Sequence, residues 1–166
     1  MHLEKLTAAI NSYHPHPDLD LVKRAYEFAA EQHRGHVRAS GEPYINHLFE
    51  TALLACQLKL DISSVVAAIL HDTIEDSLVT REELAKKFSS EVAEIVEGVT
   101  KLTRIEFESK EEKQAESFRK LLIAMARDIR VVLVKLCDRL HNMRTLQYVP
   151  EEKRRRVGNT FVRVFE

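Results

Sequence analysis

The strongest constraint in this chain is an unbroken apolar run, Val65-Val66-Ala67-Ala68-Ile69-Leu70, that stops in His71-Asp72 and is followed one turn later by Glu75-Asp76. A helix that is apolar all round is buried all round, so the fold must wrap other elements about it. Its end is then a problem, because charge withdrawn from water is costly unless it is paired or bound to a metal. Asp61 is placed to cap the start, and the spacing predicts one helix over about 61–76. On such a helix His71 and Glu75 share a face, as do Asp72 and Asp76. One pair can hold a metal while the other handles a proton. The plain alternative is a solvated helix end with capping charges.

The remainder reads as helix after helix, with almost no strand signal. A helix over about 2–12 ends before His14-Pro15-His16-Pro17, which punctuates the chain as a linker. Asp18 or Asp20 caps the next, about 19–34, whose Leu21, Val22, Ala25, Phe28 and Ala29 follow the helical period. A loop over 35–43 leads to a helix of about 44–58. Thr80-x-x-Glu83 matches a capping box for a short helix to about 88, and Ser89 or Ser90 opens another carrying Val92, Ile95, Val96 and Val99. The charged stretch 104–112 reads as an exposed loop, before helices of about 111–126 and 128–147 and a basic helix opened by Pro150. The expectation is one all-α domain of packed amphipathic helices, with residues 1–17 as an N-terminal helix and linker and 18–166 as the body.

A length of 166 residues suits one domain, and a net charge of −1 gives no bulk field for nucleic acid or a membrane surface. The run Lys153-Arg154-Arg155-Arg156 reads as a solvated helix end rather than a nucleic-acid surface. No stretch is long enough to span a bilayer and no signal-peptide core opens the chain, so a soluble cytoplasmic protein is expected. Cys56 and Cys137 sit in apolar helical contexts without a C-x-x-C, which predicts buried free thiols. Nothing in the sequence specifies an oligomeric state.

Two further features point to chemistry. After the apolar Val131-Val132-Leu133-Val134, a second helix turns polar: Asp138, His141, Asn142 and Thr145 form one stripe that must face a partner, a metal or a cavity. His47 lies one turn into another helix, behind a loop carrying His33, Arg34, His36, Arg38 and Ser40. Cations and a hydroxyl beside a metal suit a phosphorylated substrate.

Taken in order, these segments resemble the HD superfamily of metal-dependent phosphohydrolases, and more narrowly the hydrolase domain of the RelA/SpoT family of alarmone enzymes. The matching text is His33-Arg34-Gly35-His36-Val37-Arg38-Ala39-Ser40-Gly41-Glu42-Pro43-Tyr44-Ile45-Asn46-His47, then Ala67 to Asp76, Glu97-Gly98-Val99-Thr100-Lys101-Leu102, Gln114 to Lys120, and Asp138-Arg139-Leu140-His141-Asn142-Met143-Arg144-Thr145. The resemblance implies an HD-type helical bundle with one divalent ion held by His47, His71, Asp72 and Asp138. It implies Mn²⁺ as that ion, with Fe²⁺, Co²⁺ and Zn²⁺ compatible with the same ligands. It assigns the acid/base pair to Glu75 and Asp76. Arg38, Ser40, Asn142 and Thr145 would contact the nucleotide, with Arg144 a further phosphate contact. The implied substrate is (p)ppGpp, cut to GDP or GTP and pyrophosphate, and 166 residues are expected to leave no room for the synthetase domain of bifunctional relatives. The alternatives are an HD phosphohydrolase acting on another nucleotide such as NADPH or a dNTP, and a module that senses a nucleotide without turnover. Two departures stand out. Ala39 replaces a lysine common in relatives, leaving one cation fewer beside the phosphates. The chain ends in 157–166 where relatives continue into a tyrosine-containing helical segment, as a short hydrolase or a fragment would.

Overall fold

The structure is a computed structural model that describes residues 2–103, 119, 123, 125–151 and 154. The expected loop at 104–112, helix at 111–126, basic helix after Pro150 and segment 157–166 lie wholly or mostly outside them. The described elements are α1 (His2–Asn11), α2 (Leu19–Gln32), α3 (Ile45–Gln57), α4 (Ile62–Leu70), α5 (Thr73–Asp76), α6 (Arg81–Lys87), α7 (Ser90–Thr103), α8 (Ile129–Arg144) and a 3₁₀ turn, Leu146–Tyr148. Among the described residues there is no strand, only a single backbone bridge between Val37 and Pro43. The fold is all-α.

Short polar side chains set the helix starts by satisfying amides that lack an intrahelical partner. Asp18, not Asp20, caps α2, its Oδ1 accepting from the Leu21 N–H at 2.9 Å. Asp61 does the same for Ser64 at 2.7 Å, Thr80 for Glu83 at 3.2 Å, Ser89 for Val92 at 3.1 Å and Asp128 for Arg130 at 2.9 Å. Each cap contributes about 1 kcal/mol.

The expected single helix over 61–76 is broken in two. The α4 helix ends at Leu70 and α5 begins at Thr73. The Thr73 hydroxyl donates to the Leu70 carbonyl at 2.6 Å, and Asp72 flattens to φ −94°, ψ −4°. A hydroxyl competing for the backbone, together with that flattened turn, interrupts the helical ladder. His71 and Asp72 therefore occupy a joint rather than a helix interior. Beyond it, Glu75 and Asp76 are exposed on α5.

Every residue of α4 from Ser64 to Leu70 is buried, as the apolar run predicts. It packs against α2, α3, α7 and α8. Burying each of its larger side chains contributes about 1.5–3 kcal/mol. Crucially, α3, α4 and α8 each touch the other two; α3 carries His47, α8 carries Asp138 and His71 directly follows α4. The N-terminal helix belongs to the same core: α1 packs on α2 and α3, with Leu6 and Ile10 fully buried. The free thiols of Cys56 and Cys137 are buried, which pushes both up to about 11 and keeps them unreactive.

Two contacts set the pose of α8. The Arg130 guanidinium donates to Asp128 at 2.7 Å, Glu91 of α7 at 2.6 Å and Asp61 at the head of α4 at 3.3 Å. Deeper, Gly98 of α7 meets α8 so closely that a Cβ there would lie 2.7 Å from Val131 Cγ2. Val131 is stiff at χ1, so the helices must part. Gly98→Ala is therefore expected to destabilise the fold by about 1–2 kcal/mol, overpacking outweighing alanine's better helix propensity. Thermal or urea unfolding would read this; an unchanged or raised midpoint would contradict the close approach.

Candidate metal centre

His47 sits one turn into α3, His71 follows the last residue of α4, and Asp138 lies within α8. One ligand atom from each falls within 4.8 Å of the others, all three residues being buried. His47 Nε2 is 3.3 Å from Asp138 Oδ1 and 3.6 Å from Asp72 Oδ2. His71 Nε2 is 3.0 Å from Asp72 Oδ2 and 3.7 Å from Asp138 Oδ1. Two imidazoles and two carboxylates thus converge from three separated stretches of chain.

The surroundings orient each group. His71 Nδ1 pairs with the Ala68 carbonyl at 2.9 Å, which makes it the N–H donor. His71 Nε2 is then aimed inward, buried and facing Asp72 Oδ2 and Asp138 Oδ1. Lys135 Nζ donates to Asp138 Oδ2 at 2.7 Å, turning Oδ1 toward the imidazoles. Asn142 Nδ2 donates to that Oδ1 at 2.6 Å, and Arg38 Nη2 donates to Asn142 Oδ1 at 2.6 Å. The Tyr44 hydroxyl donates to Asp72 Oδ2 at 2.7 Å while its ring stacks on His33, centroids 5.0 Å apart. The ring nitrogens His47 Nδ1 and His141 Nδ1 are 2.7 Å apart.

The electrostatics favour positive charge at the centre. Burial opposes ionisation of Asp72, but His71 outweighs it and holds the carboxyl below the usual carboxylate range. Asp138 is held low against the same burial penalty by hydrogen bonds from His47 and His71. Burial would lower His71, yet Asp72 and Asp138 raise it to about 10, so a proton supplies the positive charge. Burial lowers His47, and it lowers His141 to about 4. Two buried carboxylates facing two inward-pointing imidazole nitrogens are a donor set that a divalent ion fits. The donors are nitrogen and carboxylate oxygen without thiolate, a set that accepts several first-row ions.

A cavity of about 500 Å³ opens beside the cluster and shares Asp138 with it. Arg38, Lys135 and Arg139 bring cations to its lining, and Ser40, Asn142 and Thr145 bring polar groups. Val37, Met143, Leu146 and Tyr148 make part of it apolar. The loop that delivers Arg38 is a tight turn: Gly41 N–H donates to the Arg38 carbonyl at 2.9 Å, with Gly41 at φ +82°, where a Cβ is strained.

The four expected metal ligands are brought together, and Arg38, Ser40, Asn142 and Thr145 all line the cavity. Thr145 spends its hydroxyl within its own helix end, donating to the His141 carbonyl at 3.1 Å. Arg144 is exposed and lies outside that lining. His33, read as a loop residue, is instead buried at the end of α2, its Nδ1 paired with the Ala29 carbonyl at 2.9 Å. Asp76 Oδ2 approaches His33 Nε2 at 3.9 Å. Tyr44, Lys135, Arg139 and His141 received no individual role from the sequence. Their signal was present for three of them: Tyr44 precedes His47 by three, and Lys135 and His141 flank Asp138 by three, which places each beside a ligand on one helical face.

The HD domain family matches residues 25–166. The chain is 52% identical over 165 residues to a "GTP pyrophosphokinase" of Myxococcus xanthus, covering 98% of this chain and 22% of that protein. It is 44% identical over 162 residues to the "Bifunctional (p)ppGpp synthase/hydrolase SpoT" of Escherichia coli (strain K12), covering 98% and 23%. The chain thus spans less than a quarter of the length of these curated relatives. Among solved structures, one described as a metazoan ortholog of SpoT that hydrolyzes ppGpp aligns with a TM-score of 0.70 at 27% identity, covering 90% of this chain and 85% of that one. The helical bundle, its convergent histidines and aspartates and the match over most of its length lead to one conclusion: this chain belongs to the HD domain family and is similar to SpoT-type proteins within it.

Proposed function

We propose that this domain hydrolyses guanosine 3′,5′-bis(diphosphate), breaking the ester between the ribose 3′ oxygen and its pyrophosphate to release pyrophosphate and GDP, or GTP from the pentaphosphate. The reaction depends on one divalent ion, Mn²⁺, held by His47, His71, Asp72 and Asp138, and runs in the cytoplasm. The observation that carries this reading is the convergence of the buried His47 and His71 Nε2 atoms on two carboxylates beside a cation-lined cavity. When bound, such an ion lowers the pKa of a water and polarises the phosphorus centre.

The protein's own groups do the rest. Arg38, Lys135 and Arg139 attract and orient phosphate oxygens, while Ala39 leaves one cation fewer beside them. Arg38 also lies 5.7 Å from the Tyr44 ring centroid, which steadies its guanidinium beside the site. Ser40, Asn142 and Thr145 line the nucleotide pocket. Glu75 and Asp76 take the acid/base role: a carboxylate of α5 accepts the proton of the attacking water. Their exposure on α5, past the joint at His71-Asp72, leaves them open to solvent and substrate.

The test is turnover with Mn²⁺ of ppGpp, pppGpp, NADPH and a dNTP side by side, with products resolved by ion exchange. Pyrophosphate and GDP from ppGpp are expected. Turnover of NADPH or the dNTP alone would move the enzyme to another substrate, and ppGpp binding without cleavage would make it a sensor. Within this reading Arg38→Ala raises KM about tenfold, the loss of one charged hydrogen bond. An unchanged KM would remove Arg38 from the substrate site.

A further inference from the structure

We infer that His141 is a positioning residue of the metal centre: with the ion bound, its Nδ1 accepts a hydrogen bond from His47 Nδ1–H and so reserves the Nε2 lone pair of His47 for the ion. The inference rests on the metal-centre reading above and assigns a role to a residue outside the four ligands. The two Nδ1 atoms are 2.7 Å apart, so a single proton lies between them. If His141 donates that proton, His47 carries its own on Nε2, pointing at Asp138 Oδ1 3.3 Å away, and cannot coordinate. If His47 donates, Nε2 presents a lone pair between Asp72 and Asp138.

A metal-bound imidazole gives its other N–H to an acceptor, which fixes its tautomer and ring angle. His71 uses the Ala68 carbonyl of its own helix for this, at 2.9 Å. The Nδ1 of His47 pairs instead with α8, one turn beyond Asp138, so His141 stands where Ala68 stands for His71. The two arrangements of the pair are His47 Nε2–H with His141 Nδ1–H, and His47 Nδ1–H with His141 Nε2–H. Both are neutral. Passing from the first to the second moves one proton across the Nδ1–Nδ1 contact, releases the His47 Nε2 proton as the ion takes its place, and takes up one from solvent at His141 Nε2, so the charge of the pair is the same before and after. The ring centroids are 4.9 Å apart and tilted by 40°, an in-plane approach of nitrogens rather than a stack. One helix, α8, thereby supplies a ligand and also orients the ligand of α3.

The test is nitrogen-15 NMR of the Zn²⁺-loaded protein, Zn²⁺ being diamagnetic, with Zn²⁺ titrations of wild type and variants. His47 protonated on Nδ1 and His141 on Nε2 is the expected pair of tautomers. His141→Phe should weaken Zn²⁺ binding by about ten- to a hundredfold, as for lost outer partners of metal ligands. His141→Asn should recover most of the loss, because its amide oxygen can stand near the position of Nδ1. A zinc-loaded His47 protonated on Nε2 would overturn the inference whatever the variants do. So would equal affinity of wild type and His141→Phe, or equal loss in Phe and Asn variants with matched falls in Tm, which marks mere packing. A wild type that binds no Zn²⁺ defeats the metal centre itself, whereas tight wild-type binding with indifferent variants defeats only the role of His141.

Discussion

Asp138→Asn is expected to cut ion-dependent turnover on the order of a thousandfold or more, the equivalent of the several kcal/mol that an ion supplies to a transition state. Asparagine keeps the volume and removes the charge. Asp138 Oδ1 lies 3.3 Å from His47 Nε2 and 3.7 Å from His71 Nε2, and its Oδ2 takes the Lys135 ammonium at 2.7 Å. Losing this anion leaves Asp72 as the one of the two carboxylates still facing the imidazoles and leaves a mostly buried lysine unpaired. A stability loss of about 3 kcal/mol, the low end for breaking a buried pair, should accompany it in the ion-free protein. Ion titration, turnover and urea unfolding separate the two effects. Turnover within tenfold of wild type would show that Asp138 does not hold the ion.

The double substitution Glu75→Ala with Asp76→Ala should behave oppositely. Turnover falls by about a hundred- to ten-thousandfold, the range for a lost general acid or base. Ion affinity stays within a few-fold, because neither side chain is among the four ligands, and urea unfolding reads any change in stability separately. This separation follows from the joint at His71-Asp72, which keeps the ligands at the core and sends the acidic pair outward. Wild-type turnover in the double variant would remove the acid/base role from α5.

Much of this was legible in the sequence. An apolar run without a polar face had to be a central helix, and α4 is wrapped by α2, α3, α7 and α8. Polar residues that interrupt apolar runs, His71-Asp72 just past α4 and Asp138 within α8, marked the site because their burial needs a reason. What was not legible depended on tertiary contacts. The break after Leu70 arises from the Thr73 hydroxyl and the flattened backbone of Asp72, neither of which alters hydrophobic period. The burial of His33 under Tyr44 depends on how the 35–43 loop folds back, a path the sequence leaves open. The pairing of His47 with His141 spans 94 residues, and no local pattern encodes it. Lys135, by contrast, could have been chosen from its spacing to Asp138 alone.

The most direct measurement is a crystal structure of the protein grown with Mn²⁺, with anomalous data to locate the ion. A peak within coordination distance of His47 Nε2, His71 Nε2 and an oxygen of each of Asp72 and Asp138 is the predicted result. No peak at saturating Mn²⁺, or one bound elsewhere with these four side chains turned apart, would contradict it.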